Sequence, residues 1–150
     1  MVFFDVPKGS ESQGIEAYRR ARERHGFDPQ AGTVTVMLHA FVGETDNAVR
    51  ETIRQPFVKY LESSVDLWRG KWADLGNVTH QRLMTYAFER YFHTSALFGS
   101  VDRCVSFARQ LRGVGVDEIA CLVDFGVPAE TTLAALPLLN DVRLRMPDTR

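Results

Sequence analysis

The sequence has few of the residues that build disulfide frameworks or metal centres, and it has no long hydrophobic run. Its two cysteines, Cys104 and Cys121, are too few for a disulfide framework or a four-cysteine zinc site. Both lie in apolar stretches, which favours small buried side chains. No apolar run approaches the ~20 residues that a membrane-spanning helix needs. The start, MVFFDVPKGS, has neither the basic segment nor the cleavage site of a secretory signal. These absences predict a cytoplasmic protein with no membrane contact and no metal.

Charge and common motifs exclude further classes of function. The formal net charge of -1 provides no general attraction for nucleic acid. The sequence contains no CxxC, HExxH, GxGxxG, GxSxG or Walker phosphate loop. With 150 residues, 45% hydrophobic and 25% charged, the chain has the size and composition of one globular domain. We therefore expect a single domain over residues 1–150, with chemistry that generic motifs do not reveal.

Hydrophobic patterning predicts strands that alternate with helices. The predicted strands are 2–6, 33–42 and 118–125; the predicted helices are 11–25, 46–63, one from residue 79 or 80, and 100–112. The tail carries helical turns in which Pro137 opens a new turn, and residues 146–150 fray. This order favours parallel pairing with helices packed outside, and the apolar strands indicate that both sheet faces are covered. Three strands are few for this length, which indicates part of a larger sheet.

Three stretches resemble a known family. They are TVTVMLHAFVGETDNAVRETIRQPFVKYLESSVDL, AFERYFHTSALFGSVDRCVSFARQLRGVGVDEIACLVDFGV and TLAALPLLNDVR. Together they resemble the C-terminal part of luciferase-like flavin-dependent monooxygenases, and most of all the subgroup of natural-product biosynthesis. The resemblance covers about residues 15–145, and the block 87–127 is its most specific part.

The resemblance implies a (β/α)8 TIM barrel that holds reduced FMN, activates oxygen and oxidises a substrate, often one bound to a carrier protein. The chain matches about the last three β/α units, so we expect a partial barrel. The family's flavin phosphate loop lies upstream of the matched part. The enzyme assignment therefore stays open.

Strand direction places the candidate site. Barrel chemistry lies at the carboxyl ends of the strands. The helix 100–112 should run antiparallel to the last strand, so Phe98, Gly99 and Ser100 should lie at the catalytic face. Residues 44–97 then form an insertion on that face, in the position of a lid or an interface.

Strand alternation selects two catalytic candidates. Thr35, Met37, His39 and Phe41 form one row, which we place inside, while the even-numbered row faces helices. In the last strand, Asp124 belongs to the inside row. His39 and Asp124, with Asp5, could move protons to or from an oxygen. Alternatively, His39 is a hydrogen-bonded core residue and Asp124 only caps the following turn.

Three residues are candidates for cofactor contacts. The amides after Gly99, together with Ser100, could bind a phosphate, although ordinary helix capping explains the same residues. Trp68 in the loop 65–78, with Trp72, could stack on a flavin or anchor the loop. Arg90 is a candidate anion or carrier-protein contact through its location alone.

A partial barrel leaves strand edges and one face of the sheet uncovered. Three arrangements could cover them: self-association, as in a dimer, a complementing barrel chain, or collapse of the insertion helices onto the open face. Three functions remain open. The chain could be an oxygenase part that needs its complement, a non-catalytic remnant that binds flavin or substrate, or an interaction protein of a biosynthetic pathway.

Overall fold

The computed structural model describes residues 10–64 and 80–146. Its elements are α1 (Ser10–Arg24), β1 (Thr35–Gly43), α2 (Asp46–Ser64), α3 (His80–Thr94), β2 (Leu97–Ser100), α4 (Val101–Gly113), β3 (Glu118–Leu122) and α5 (Ala129–Leu144). The predicted strand 2–6, with Asp5, and the predicted loop 65–78, with Trp68 and Trp72, lie outside the described residues. The boundaries expected for α1, α2 and α4, and the expected start of α3, agree with the structure to within about one residue, an agreement closer than helix-end assignments usually allow.

The three strands form a sheet in the order β2-β1-β3. Both pairs are parallel, as the alternation of strands and helices predicts. The first part of β1 pairs with β3, from Thr35 opposite Glu118 to His39 opposite Leu122. The last part of β1 pairs with β2 along its other edge, from Ala40 opposite Leu97. β2 is absent from the sequence prediction because four residues containing a glycine are too short to show a strand period.

The sheet carries helices on both faces. The chain crosses from β1 to β2 in one direction and then returns past β1 to β3 in the other. Two crossovers of the same hand that run in opposite directions place their helices on opposite faces. Accordingly α2 and α3 pack on one face, and α4 and α5 on the other. The result is a partial α/β fold, and the described residues close no barrel.

The even-numbered row of β1 faces α4 and α5, as predicted. Ala40 and Val42 are buried with Cys104 and Val105 of α4 and with Val142 of α5. The tail differs from expectation because α5 continues through Pro137. A proline inside a helix removes one hydrogen-bond donor, and the side chains around this position are largely exposed, so water can satisfy the carbonyl that is left free.

The two cysteines have different environments. Cys104 is buried, and burial raises the pKa of its thiol to about 12. Cys121 is exposed, so its predicted burial is wrong. The reason is that β3 is an edge strand and that α5 packs across β1, which leaves Cys121 uncovered.

The other row of β1 is divided. Its carboxyl half is covered by α2 and α3, where His39 and Phe41 are 7% and 6% exposed. Its amino half is open: the Met37 side chain is 54% exposed, and Thr35 is an exposed residue that donates a hydrogen bond to Glu118 Oε2 at 3.0 Å. Collapse of the insertion helices onto the sheet, one of the three expected arrangements, therefore occurs over half of this face.

No helix in the described ranges combines the length and the hydropathy that a membrane span requires.

Candidate functional site

The carboxyl ends of the three parallel strands lie at one edge of the sheet. Ligands of parallel sheets bind outside this edge, where neighbouring strands send their connections in opposite directions. In this chain that point lies between β1, which continues towards β2, and β3, which continues into α5. The candidate site therefore consists of the side chains around the ends of β1 and β3, and those at the neighbouring junction of β2 with α4.

His39 lies at the first of these positions, enclosed by rings. Its imidazole centroid lies 5.1 Å from that of Phe57 and 4.9 Å from that of Tyr60, both on α2. The rings of Tyr91 on α3 and Phe125 after β3 lie at 6.2 and 5.8 Å. All four contacts are edge-on, a favourable arrangement for aromatic rings.

Phe57 is the centre of this packing. It is fully buried and belongs to the aromatic cluster, which we define as Phe57, Tyr60, Phe88, Tyr91, Phe92, Phe98 and Phe125. The helical spacing of Val49, Ile53 and Phe57 explains why α2 turns this face to the sheet. The corresponding stripe of α3 includes Phe88 and Phe92, which belong to the same buried core.

Burial makes His39 a neutral side chain. Desolvation lowers the pKa of His39 to about 4, so the ring carries no charge near neutral pH. Its Nε2 atom has no hydrogen-bond partner within the described residues. The interpretation of His39 as a hydrogen-bonded core residue is therefore half right, since the residue is core but this nitrogen is unpaired.

Asp124, the second catalytic candidate, lies just beyond β3 with an exposed side chain. The described residues provide no hydrogen bond between Asp124 and His39, and the neighbouring Phe125 packs on the imidazole instead. The structure thus brings the two residues to the same end of the sheet without forming a catalytic pair.

A second group of side chains lies at the junction of β2 with α4. Ser100 caps α4, with its Oγ accepting from the amide of Arg103 at 3.5 Å. Its own amide donates to Asp46 Oδ1 at 2.7 Å, and Arg103 Nη1 lies 3.8 Å from Asp46 Oδ2. Burial alone would raise the pKa of Asp46, but the Ser100 hydrogen bonds and the Arg103 charge outweigh it and hold that pKa below its usual value.

Arg103 is fully engaged in this junction. Its Nε donates to the Phe98 carbonyl at 3.1 Å and its Nη2 to the Phe92 carbonyl at 2.9 Å. The guanidinium also lies over the Phe92 ring, 5.0 Å from its centroid. Arg50 of α2 lies at the same distance from that ring, so Phe92 is held between two cations.

The anion position predicted at Gly99 and Ser100 is filled by the chain itself. Gly99 has φ +133°, and a Cβ built there would meet the Arg103 side chain and lie 2.7 Å from Asp46 Oδ1. The Ser100 amide already donates a hydrogen bond to the carboxylate of Asp46. These residues do not fit a flavin phosphate, because a second anion would be placed beside Asp46.

The predicted site residues thus have different outcomes. Ser100 has the capping role that the sequence allows, and Trp68 lies outside the described residues. Arg90 is exposed on α3. Among the described residues, no group of three or more His, Cys, Asp or Glu side chains could hold a metal ion. Sequence reasoning missed Asp46, which is 54 positions from its partner Ser100; its place at the start of α2 was the only signal.

Comparisons with known proteins support the fold alone. No family model and no curated protein matches the chain. The fold is similar to that of a solved structure, the monooxygenase RslO1 from Streptomyces bottropensis, with a TM-score of 0.62 and 19% sequence identity. The match covers 93% of this chain and 39% of that chain. This chain therefore has a monooxygenase-like fold and spans well under half the length of that protein.

Replacing Gly99 by alanine should destabilise the junction. The new methyl group would meet Arg103 and Asp46, and a positive φ is unfavourable for alanine, so we expect a loss of about 3 kcal/mol in the free energy of unfolding. Urea unfolding followed by circular dichroism measures it.

Gly113→Ala is the matched control, because a Cβ there meets nothing within 4 Å. It should leave stability unchanged or raise it by up to about 1 kcal/mol. Equal effects of the two substitutions would contradict the described geometry around Gly99.

The buried His39 should make stability depend on pH. Because the pKa of His39 is about 4 in the folded chain, against its ordinary value of 6.5, the unfolded chain takes up the proton first as pH falls. Stability is then fully present above pH 6.5 and is lost towards pH 4, by up to about 3 kcal/mol.

His39→Leu, which nearly conserves volume, should remove this loss while changing stability at pH 7 by less than about 1.5 kcal/mol. Urea unfolding at a series of pH values from 7 to 4 compares the variant with wild type. His25→Gln, at an exposed position, is the control and should keep the wild-type slope. The same slope in His39→Leu would show that His39 is not buried as described.

Proposed function

We propose that this chain is part of a luciferase-like, FMN-dependent monooxygenase-type barrel, corresponding to its last three β/α units and working only after association with another chain. The observation that carries the proposal is the fold likeness to a monooxygenase, which covers nearly all of this chain but only 39% of the other. The family resemblance of the sequence points to the same assignment.

The uncovered part of the sheet supports the need for association. Met37 is 54% exposed in the amino half of β1, and Ala120, its register partner on β3, is exposed as well. Within the described residues the outer edge of β3 pairs with no strand. An exposed apolar strand at a sheet edge favours pairing with another chain. We infer that a second copy or a complementing barrel chain covers this surface.

Reduced flavin would supply the oxygen chemistry when bound. The phosphate contacts would come from outside the described residues, because the Ser100 amide already donates to Asp46. His39 is neutral near pH 7, and its role in this proposal is to complete the apolar wall beneath the carboxyl ends of the strands. Binding of a carrier-protein-bound substrate, with Arg90 as one contact, stays a prediction of the resemblance.

A second candidate function is a non-catalytic interaction protein of the same pathway. It is favoured by the aromatic cluster, which fills the space over the carboxyl half of β1 where a barrel keeps its ligand site. In this alternative the chain retains the fold and the association surface but binds no flavin. The two candidates differ in one measurable property, the binding of FMN.

Light scattering combined with FMN fluorescence tests both candidates. For the oxygenase part we expect a mass above 17.0 kDa and quenching of FMN fluorescence at high micromolar protein. Met37→Glu should lose both properties, because a charge on the open face opposes its burial. Tyr86→Glu is the control, since Tyr86 is 65% exposed on α3, and it should keep both.

Each outcome decides between the candidates. Association with quenching supports the oxygenase part, and association without quenching supports the interaction protein. A folded wild-type chain that stays at 17.0 kDa and leaves FMN fluorescence unchanged, alone and mixed with its neighbouring gene products, would contradict both.

A further inference from the structure

The N-terminus of α4 already holds an anion, the side-chain carboxylate of Asp46. The first amides of a helix have no partner within the helix and attract negative charge. Here the Ser100 amide donates to Asp46 Oδ1 at 2.7 Å. Asp46 belongs to the first turn of α2, so the carboxylate reaches this helix from a distant part of the sequence.

The surroundings of the carboxylate are built to hold it. Arg103 Nη1 lies 3.8 Å from Asp46 Oδ2, while two other nitrogens of the guanidinium are fixed by the carbonyls of Phe92 and Phe98. Gly99 leaves the space that the carboxylate and the Arg103 side chain fill, since a Cβ at this position would lie 2.7 Å from Asp46 Oδ1. The carboxylate of Asp46 therefore contacts an amide and a guanidinium, and it lies in space that is free only because residue 99 is a glycine.

We infer that Asp46 acts as a built-in anion that closes the N-terminus of α4 to inorganic phosphate and to the phosphate monoesters of ligands. A phosphate could use the Ser100 amide only by displacing Asp46, and it would then lie beside an unpaired carboxylate. Both effects oppose binding, the first because the donor is occupied and the second through repulsion of like charges. The inference concerns inorganic phosphate as well as flavin, so it does not rest on the proposed function.

The same contact determines what removal of the carboxylate does. Without Asp46, the Ser100 amide loses its hydrogen-bond acceptor and the Arg103 guanidinium loses its ion-pair partner. A helix N-terminus with a free amide and a neighbouring arginine is a binding site for phosphate. Asp46→Ala should therefore convert a closed junction into a phosphate site made of residues that are already in place.

Phosphate titration followed by NMR tests this inference on the full chain, with inorganic phosphate as the probe and chloride at matched ionic strength as the reference. In wild type, the Ser100 amide and the Arg103 side-chain signals should not respond to phosphate specifically. In Asp46→Ala they should shift saturably, with phosphate bound at least about tenfold more tightly than in wild type. Inorganic phosphate requires no flavin and no partner.

Asp102→Ala is the matched control. Asp102 also lies in the first turn of α4, but it is largely exposed and pairs with Arg145 at 2.7 Å. Asp102→Ala changes the net charge of the chain by the same amount as Asp46→Ala, but it does not free the Ser100 amide. It should leave phosphate binding as weak as in wild type. Tightening equal to that of Asp46→Ala would overturn the inference, because general charge and not the occupied amide would then exclude phosphate.

Two further results would overturn it. Saturable phosphate shifts at Ser100 in wild type would show that the position is open, and absence of binding in a folded Asp46→Ala chain would show that Asp46 is not what closes it. If that variant fails to fold, acid titration of wild type decides. Asp46 faces Arg103 of α4 and His93 of α3, and the Ser100 amide signal should follow protonation of Asp46 with a midpoint below the usual 3.8. A Ser100 signal that does not respond in this range would contradict the contact.

Discussion

The packing of Phe57 onto the sheet is the interaction on which the rest of the structure depends. This ring lies between α2, α3 and the carboxyl half of β1, and it contacts His39, Phe98 and Phe125 from three different segments. Burying an aromatic side chain of this size stabilises a fold by about 1.5–3 kcal/mol. Because β1, β2 and the segment after β3 all meet at this ring, its burial holds the carboxyl ends of the strands together. It also buries the strand face that the sequence places inside a barrel.

The charged contacts at the junction of β2 with α4 depend on that packing. Arg103 can reach the carbonyls of Phe92 and Phe98 because the rings of these residues are fixed in the aromatic cluster. Asp46 then completes the junction, linking the first turn of α2 to the first turn of α4. The two ends of the region 44–97 are thus joined by a hydrogen bond and an ion pair. Its described helices, α2 and α3, cover the carboxyl half of one face of the sheet, in the region where the sequence predicts a lid or an interface.

Much of the fold could be predicted from the sequence. The helical spacing of Val49, Ile53 and Phe57 predicts α2 and its buried face, and the alternation in β1 separates the row of Ala40 from that of His39. The cap at Ser100 is a local pattern and is confirmed. β2 could not be predicted because four residues are too few to show the alternation of a strand. The contact of Ser100 with Asp46 could not be predicted either, because local sequence patterns do not show which distant residues meet. The exposure of Cys121 depends on where α5 packs, which is a tertiary property.

The helices α2 and α3 pack on the His39 face of the sheet. Nuclear Overhauser effects between ring protons of His39 and those of neighbouring aromatic residues measure this packing. We expect cross-peaks from His39 to Phe57 and to Phe125, since the ring centroids lie 5.1 and 5.8 Å apart. Absence of both cross-peaks in the folded protein, with His39 titrating near its ordinary pKa of 6.5, would show instead that this face is open.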